Sequence, residues 1–415
     1  MHPWAAGQGR LGGTLRVLFL THRLPYPPNR GDRIRAYHLL RVIAGSAEVS
    51  LLSLVHSDEE ERQARHLQAL ATVTTVRIPR TSNLISAAMA LPGRQPLTHV
   101  LLNSPEVGRA IREMVGMRSP DVVLAYCSGM AQYLYTPPLA GLPAVLDMVD
   151  LDSEKWQALS RTANWPMHSI YRREALRLQA FEKVATDTAA ATTVVNERER
   201  TAVLSINPDA AVRVISNGID AAHFRSLKSP SDTSNVVFCG VFNYRPNEMG
   251  AIWLAKEVWP LVRRRVPSAT LTLVGMDPTR NVRQLAADRS ITVTGAVPDV
   301  RPYLWRSAVA AAPLAVSRGI QNKVLEALAA GLPSVVTPSV AAGLPAAVLP
   351  GCEIASTPTE FANSLTDLLN AAPADRCYRA HAACLDTLTW DSQLMPMVDL
   401  LRSVTRSESA TPVLT

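Results

Sequence analysis

The sequence predicts an α/β protein built from two doubly wound domains that face a central cleft. Three observations predict it. Short apolar runs rich in Val and Leu alternate with longer helical patterns along the chain, the grammar of βαβ units and parallel sheets. A length of 415 residues suits two or three domains. A polar stretch near the middle, Ser226–Asn235, follows Asn217-Gly218 and has the Ser, Pro and Asp content of a linker. The same grammar on both sides of it gives two Rossmann-like domains, expected over 1–205 and 206–390, with 391–415 as a C-terminal extension.

In the first half the expected strands are Arg16–Thr21, Val49–Leu54, Val73–Ile78, Val122–Tyr126, Ala144–Met148 and Thr192–Asn196. Each is a 5–6-residue stretch of the short runs rich in Val and Leu that alternate with helical patterns. Helices are expected over Asp32–Ile43, Ser57–Ala71, Pro105–Met117 and Tyr171–Asp187. In the second half the strands are Val212–Ser216, Asn235–Gly240, Ala269–Val274, Ile291–Thr294, Val309–Ala312, Ser334–Thr337 and Glu353–Ala355. Helices are expected over Asn247–Arg265, Val300–Arg306, Gln321–Ala330, Thr359–Ala371 and Ala374–Asp386. In such sheets ligands bind beyond the carboxyl ends of the strands.

Composition excludes several classes. Hydrophobic residues make up 47% and charged residues 19%, so the chain is not disordered. The five Cys, at 127, 239, 352, 377 and 384, form no C-x-x-C pair, which argues against a disulfide framework or a structural zinc site and for a reducing compartment. No stretch reaches 18 uninterrupted apolar residues, and the first 21 residues lack the apolar core of a signal peptide, so a cytoplasmic protein is expected. The net charge is +7, and the basic residues are 37 Arg and only five Lys. The excess concentrates in residues 1–41, which hold seven Arg against one acid. No aromatic-basic stripe accompanies it, so nucleic acid is not the expected partner.

Four motifs bear on chemistry. Gly7-Gln8-Gly9-Arg10-Leu11-Gly12 fits G-x-G-x-x-G, but it precedes the first strand instead of following it, so it is no dinucleotide fingerprint. The turn after the first strand ends in Asn29-Arg30-Gly31-Asp32-Arg33-Ile34-Arg35; Gly31 opens a helix whose free N–H groups suit an anion, with Arg30, Arg33 and Arg35 nearby. The alternative is an ordinary surface loop with Asp32 as a helix-terminal charge. Asp147-Met148-Val149-Asp150-Leu151-Asp152 ends another strand, where carboxylates orient hydroxyls, take a proton, bind a metal as D-x-D, or simply cap a helix. The sharpest motif is Ser317-Arg318-Gly319-Ile320-Gln321-Asn322-Lys323-Val324-Leu325-Glu326, closed by Gly331 and Pro333 before a buried strand. Backbone N–H groups of Gly319, Ile320, Gln321 and Asn322 suit a diphosphate, Arg318 and Lys323 neutralise it, and Glu326 reaches the two hydroxyls of a ribose. A buried amphipathic helix with a stray Glu is the bland alternative.

This last motif resembles the nucleotide-sugar motif of family 4 glycosyltransferases, retaining enzymes of the GT-B fold. Other resembling segments are Ile215-Ser-Asn-Gly-Ile-Asp220, Phe238-Cys-Gly240, Leu273-Val-Gly275 and Thr294-Gly-Ala-Val-Pro-Asp299. Asn29–Arg33, Asp150–Trp156 and Tyr244-Arg-Pro-Asn247 look like a subgroup associated with bacterial exopolysaccharide export systems. The resemblance implies that Glu326 binds the donor ribose, that the Val297 main chain reads the base, and that Gly31 and Gly240 line the donor from the two domains. It also implies a C-terminal helix, about Ser392–Ser403, returning to the N-domain. Three departures stand out: Arg318 occupies the place of the motif's first Glu, Asn243-Tyr244-Arg245 replaces an Arg and Lys pair so that only Arg245 remains to serve, and the region Asp147–Asp150 replaces an N-domain His.

The expected function is therefore transfer of a sugar from a UDP- or GDP-linked donor to an acceptor hydroxyl, with retention, for exopolysaccharide or another cell-surface glycan. The expected catalytic residues are Asp150, Asp147 and Arg318, and no metal or cofactor is expected because fixed protein charges replace it. A glycan or lipid-linked acceptor, with the Arg-rich N-terminus at an anionic inner-membrane surface, completes the expectation. The alternatives are a nucleotide-sugar 2-epimerase of the same fold and a non-catalytic nucleotide-sugar-binding protein.

Overall fold

A computed structural model describes residues 14–226, 233–317 and 320–408, so the Gly7–Gly12 motif, Arg318, Gly319 and most of the expected linker lie outside the described residues. The chain divides into two compact units, 1–215 with 394–415 and 216–393. The first holds a seven-stranded sheet of β1 (Arg16–Thr21), β2 (Glu48–Val55), β3 (Thr72–Arg77), β4 (Val122–Tyr126), β5 (Ala144–Val149), β6 (Ala191–Val194) and β7 (Val212–Val214). Its order is β3-β2-β1-β4-β5-β6-β7, and every pairing is parallel. The second unit holds β8 (Asn235–Cys239), β9 (Thr270–Val274), β10 (Ile291–Val293), β11 (Val309–Ala312), β12 (Ser334–Val336) and β13 (Cys352–Ile354), in the parallel order β10-β9-β8-β11-β12-β13.

The order of each sheet reverses once, between β1 and β4 and between β8 and β11. These are the topological switch points where doubly wound sheets bind ligands. Both sheets are covered on two faces, which is why their strands read as continuous apolar runs. Leu18, Leu20, Leu52, Val123 and Leu146 belong to the first core, and Val236, Phe238, Leu271, Val309 and Val335 to the second. The fully buried Trp259 donates its indole N–H to Ser290 Oγ at 2.8 Å, so its one polar atom is satisfied.

Three findings differ from the sequence reading. Val212–Val214 pairs with β6 and completes the first sheet, so the first unit runs to Ile215, past residue 205. The expected helix Asn247–Arg265 is a run from Arg245 to Arg265 that widens into a single π turn over Leu254–Val258, just ahead of Pro260. Helices Arg80–Met89 and Asp152–Thr162 were not anticipated. The last helix, Trp390–Glu408, starts in the second unit and belongs to the first from Leu394 onward. Its start explains Gly218: a Cβ there would lie 2.4 Å from Trp390 N, while the Ile219 N–H donates to Leu388 O at 2.7 Å.

Candidate active site

In the second unit the site is built on the carboxyl ends of β8 and β9 and on helix Asn322–Ala329, which follows β11. The turns after β8 and β9 touch through their backbones. Gly275 has φ +147°, and a Cβ on it would fall 1.8 Å from Gly240 O. Only glycine fits there. A Cβ on Gly240 would in turn press on the Asn247 amide, at 3.0 Å from Cγ. Asn247 is buried and fixed at both ends: Nδ2 donates to Val241 O at 3.0 Å, and Oδ1 accepts from Lys323 Nζ at 2.7 Å. Lys323 Nζ also lies 4.9 Å from the Phe238 ring centroid.

Glu326 sits three residues beyond Lys323, on the same helical face. Burial pushes its carboxyl up to about 7, partly offset by the positive charge of Lys323. Burial lowers the Lys323 ammonium to about 8, against the pull of Cys239 and Glu326. The Cys239 thiol is raised to about 12 by burial and by Glu326. Lys323 and Glu326 thus sit where burial disfavours their charged forms, a pattern that collects at functional sites, while the Cys239 thiol stays neutral. Asn322 Oδ1 accepts from Asn217 Nδ2 at 3.4 Å, tying the helix start to the Asn217-Gly218 turn. Of the remaining expected residues, Ile320 is buried in the core, Gln321 precedes the helix, and Arg245 is exposed at the start of its helix. Val297 is half-buried after the Gly295 turn (φ +71°) and packs on the apolar cluster of Val237 and Ala327.

In the first unit the carboxyl ends of β1, β4 and β5 bring a second group together. Asp32, in the first turn of helix Gly31–Ala44, lies 3.4 Å from Arg23, 3.9 Å from Arg30 and 3.8 Å from His22. Burial lowers His22 to about 4, despite Asp32, so its imidazole is neutral near pH 7. His22 Nδ1 is buried without a hydrogen-bond partner among the described residues. The ring stacks on Tyr126 at a centroid separation of 6.0 Å, and the Tyr126 hydroxyl donates to Asp32 O at 2.8 Å. At Gly31 a Cβ would meet nothing within 4 Å, so this helix terminus opens on free space.

Two non-glycine residues at the same sheet edge have left-handed φ. Cys127 after β4 has φ 67° and ψ 156°, and Val149 at the end of β5 has φ 66°. Such conformations cost roughly 1–3 kcal/mol each and collect at functional sites. Val149 forms a tight turn in which the Asp150 N–H donates to Met148 O at 2.8 Å. Buried carboxylates hold the next residues: Glu199 accepts from the Leu151 N–H at 3.0 Å and Glu182 from the Ser153 N–H at 3.0 Å. Burial raises the Glu182 carboxyl to about 7. Asp152 accepts from Ser128 Oγ at 2.7 Å, and Asp150 is half-buried between these fixed points.

Asp147 corrects an expectation. Its side chain is fully buried, accepting from Arg35 at 2.9 and 3.1 Å and from Thr193 Oγ1 at 2.9 Å. An acid so enclosed has its oxygens taken up by Arg35 and Thr193, which counts against the catalytic role expected of it. Part of the basic cluster of residues 1–41 is engaged in ion pairs within the first unit. Arg16 pairs with Asp121, Arg23 and Arg30 share Asp32, Arg33 pairs with Glu60 and Arg35 with Asp147, so acids from outside the segment offset about half of its excess charge within the first unit. Sequence reasoning missed His22, Ser128 and Cys127. Their signal was position alone, since all three directly follow or closely trail strands that flank the switch point. Among the described residues no group of three or more His, Cys, Asp and Glu is placed to hold a metal ion.

Comparison with known proteins agrees with this architecture. Residues 233–371 match the family described as "Glycosyl transferases group 1". No curated protein matches the chain. Among solved structures it is similar to sucrose-phosphate synthase from Thermosynechococcus elongatus (15% identity, TM-score 0.67, covering 95% of this chain and 100% of that one). It is similar to TarM (9% identity, TM-score 0.68, 94% and 99%) and to Anabaena HepE in complex with UDP-glucose (14% identity, TM-score 0.59, 96% and 100%). The fold is that of GT-B glycosyltransferases: two Rossmann-like domains, each with a parallel sheet.

Proposed function

We propose that the protein is a retaining glycosyltransferase that moves a sugar from a UDP- or GDP-linked donor to an acceptor hydroxyl on a glycan or lipid-linked intermediate of a cell-surface polysaccharide. The observation that carries the reading is the Asn247–Lys323–Glu326 group at the switch point of the second sheet, within the segment matched to glycosyltransferases. The start of helix Asn322–Ala329 and Lys323 take the diphosphate, and Glu326 accepts the ribose hydroxyls. Gly240 and Gly275 let the donor approach the backbone, and Arg245 and Val297 flank it. HepE, solved with UDP-glucose, supports a nucleotide-sugar donor by likeness of fold.

In the reaction the bond from the sugar C1 to the diphosphate oxygen breaks, the acceptor oxygen bonds C1, and the acceptor proton passes to the departing diphosphate. Lys323 and the helix start stabilise the charge that develops on that leaving group. Asp150, held by the strained Val149 turn, orients the transferred sugar; Arg318, outside the described residues, is assigned to phosphate or sugar. No metal enters this scheme.

A thermal-shift screen of UDP- and GDP-sugars identifies the donor. Product analysis with that donor is then decisive. Transfer that requires an acceptor, persists in chelator and falls more in kcat than in KM on Asp150→Ala supports the reading. An epimerised sugar formed from donor alone makes the protein an isomerase. Activity lost to chelator and restored by manganese contradicts the assigned roles.

A further inference from the structure

Helix Arg80–Met89 is amphipathic the wrong way round. Its inward residues are Asn83, whose amide donates to Leu101 O and Asn103 O at 3.0 and 3.1 Å, and the small Ala87. Its outward residues are large and apolar: Leu84 is 61% exposed, Ile85 63% and Met89 70%. Exposed apolar side chains clustered on one helix, unlike scattered ones, call for a partner.

Charge identifies the partner. Residues 62–105 contain five Arg and no acid, and residues 155–173 contain Lys155, Arg161, Arg172 and Arg173 and again no acid; acids just outside these stretches pair with Arg62, Arg77, Lys155 and Arg173, which leaves Arg94, Arg161 and Arg172 to give the surface its charge. The structure joins the two stretches. Arg173, on helix Met167–Thr188, donates to the carbonyls of Ala90, Leu91, Gly93 and Gln95, just beyond the end of helix Arg80–Met89. Just ahead of that second helix Trp165 is 83% exposed. Arg94, Arg161 and Arg172 are exposed and form no ion pair among the described residues. An apolar helical face and an exposed Trp, accompanied by three exposed Arg that no acid pairs among the described residues, have the make-up of an interfacial helix on an anionic bilayer. A ten-residue helix lies on a membrane and does not span it, and no described helix is long and apolar enough to cross one.

We infer that the first unit docks on an anionic lipid surface through Leu84, Ile85, Met89 and Trp165, with Arg94 and Arg161 at the headgroups. This inference deepens the reading of a lipid-linked acceptor by naming the surface, and its test needs no donor, so the two fail separately. The full chain is sedimented with vesicles of phosphatidylglycerol and phosphatidylcholine, and with phosphatidylcholine alone. The wild type is expected to bind the anionic vesicles, less at raised salt, and to leave the neutral ones. The triple variant Leu84→Ser, Ile85→Ser, Met89→Ser is expected to lose binding by about tenfold or more. The pair Arg94→Glu, Arg161→Glu weakens it and flattens the salt dependence. Met117→Ser, an exposed methionine on another helix, leaves it unchanged. Unaltered melting shows that the variants are folded. Wild-type binding by the triple variant, or no binding of anionic vesicles by the wild type, overturns the inference. So does a patch that only holds two copies of the chain together, seen as a dimer that the triple variant dissociates.

Discussion

Glu326 links the proposed site to stability. Its carboxyl titrates near 7 when folded and near 4.5 when unfolded, so the folded state binds the proton more tightly. Stability is therefore greatest below about 4.5, falls as pH rises toward 7, and stays reduced above it. Glu326→Gln, which keeps the shape and removes the charge, is expected to raise stability by roughly 2 kcal/mol at pH 8. That gain vanishes toward pH 4.5, which denaturation at the two pH values checks. A residue kept at such a cost is typical of a binding site. Asp147 is the opposite case. Asp147→Asn leaves the buried Arg35 without its counter-charge and is expected to cost about 3 kcal/mol. Donor affinity, measured by titration, stays near the wild-type value if Asp147 supports the sheet and does not touch the sugar. The sequence could not separate Asp147 from Asp150, because both end the same strand. Only a partner 112 residues away, Arg35, does so.

At the scale of elements, the strands were legible because a parallel strand buried on two faces is a continuous apolar run. The helix of Lys323 and Glu326 was legible because its charges interrupt an apolar helix at fixed spacing, with Gly331 marking its end. Helix Arg80–Met89 escaped because its apolar face points to solvent, so the usual pattern is inverted. Val212–Val214 was assigned to the wrong half because three residues carry too little pattern to choose a sheet. Nor did the sequence reveal why the turns after β8 and β9 need glycine, since that follows from their contact in space. Gly275→Ala tests the contact. Its new methyl would overlap Gly240 O, at a φ that alanine avoids, so a loss of roughly 3 kcal/mol or more is expected in thermal or denaturant unfolding. A variant as stable as the wild type would mean that the two turns are not packed this way.

Across the whole molecule, charge sorts into two uses. The Arg-rich segment 1–41, which in sequence looks like a surface for anions, is partly taken up by ion pairs within the first unit. Its pairing with Asp121, Glu60 and Asp147 is invisible in a local count of charges. Unpaired basic residues stand elsewhere: Arg94, Arg161 and Arg172 are exposed and form no ion pair among the described residues. The two switch-point edges carry different groups: the second unit places Lys323 and Glu326 there, which the proposed function assigns to a nucleotide, and the first places Asp150 and the neutral His22 beside a strained backbone. The account stands on the nucleotide being held by the second of these edges. Titration calorimetry of the donor identified by thermal shift, against the wild type and Glu326→Ala, tests it most directly. Affinity at least about tenfold weaker in the variant is the predicted result, in line with the loss of charge-assisted hydrogen bonds; equal affinity in the two proteins would contradict it.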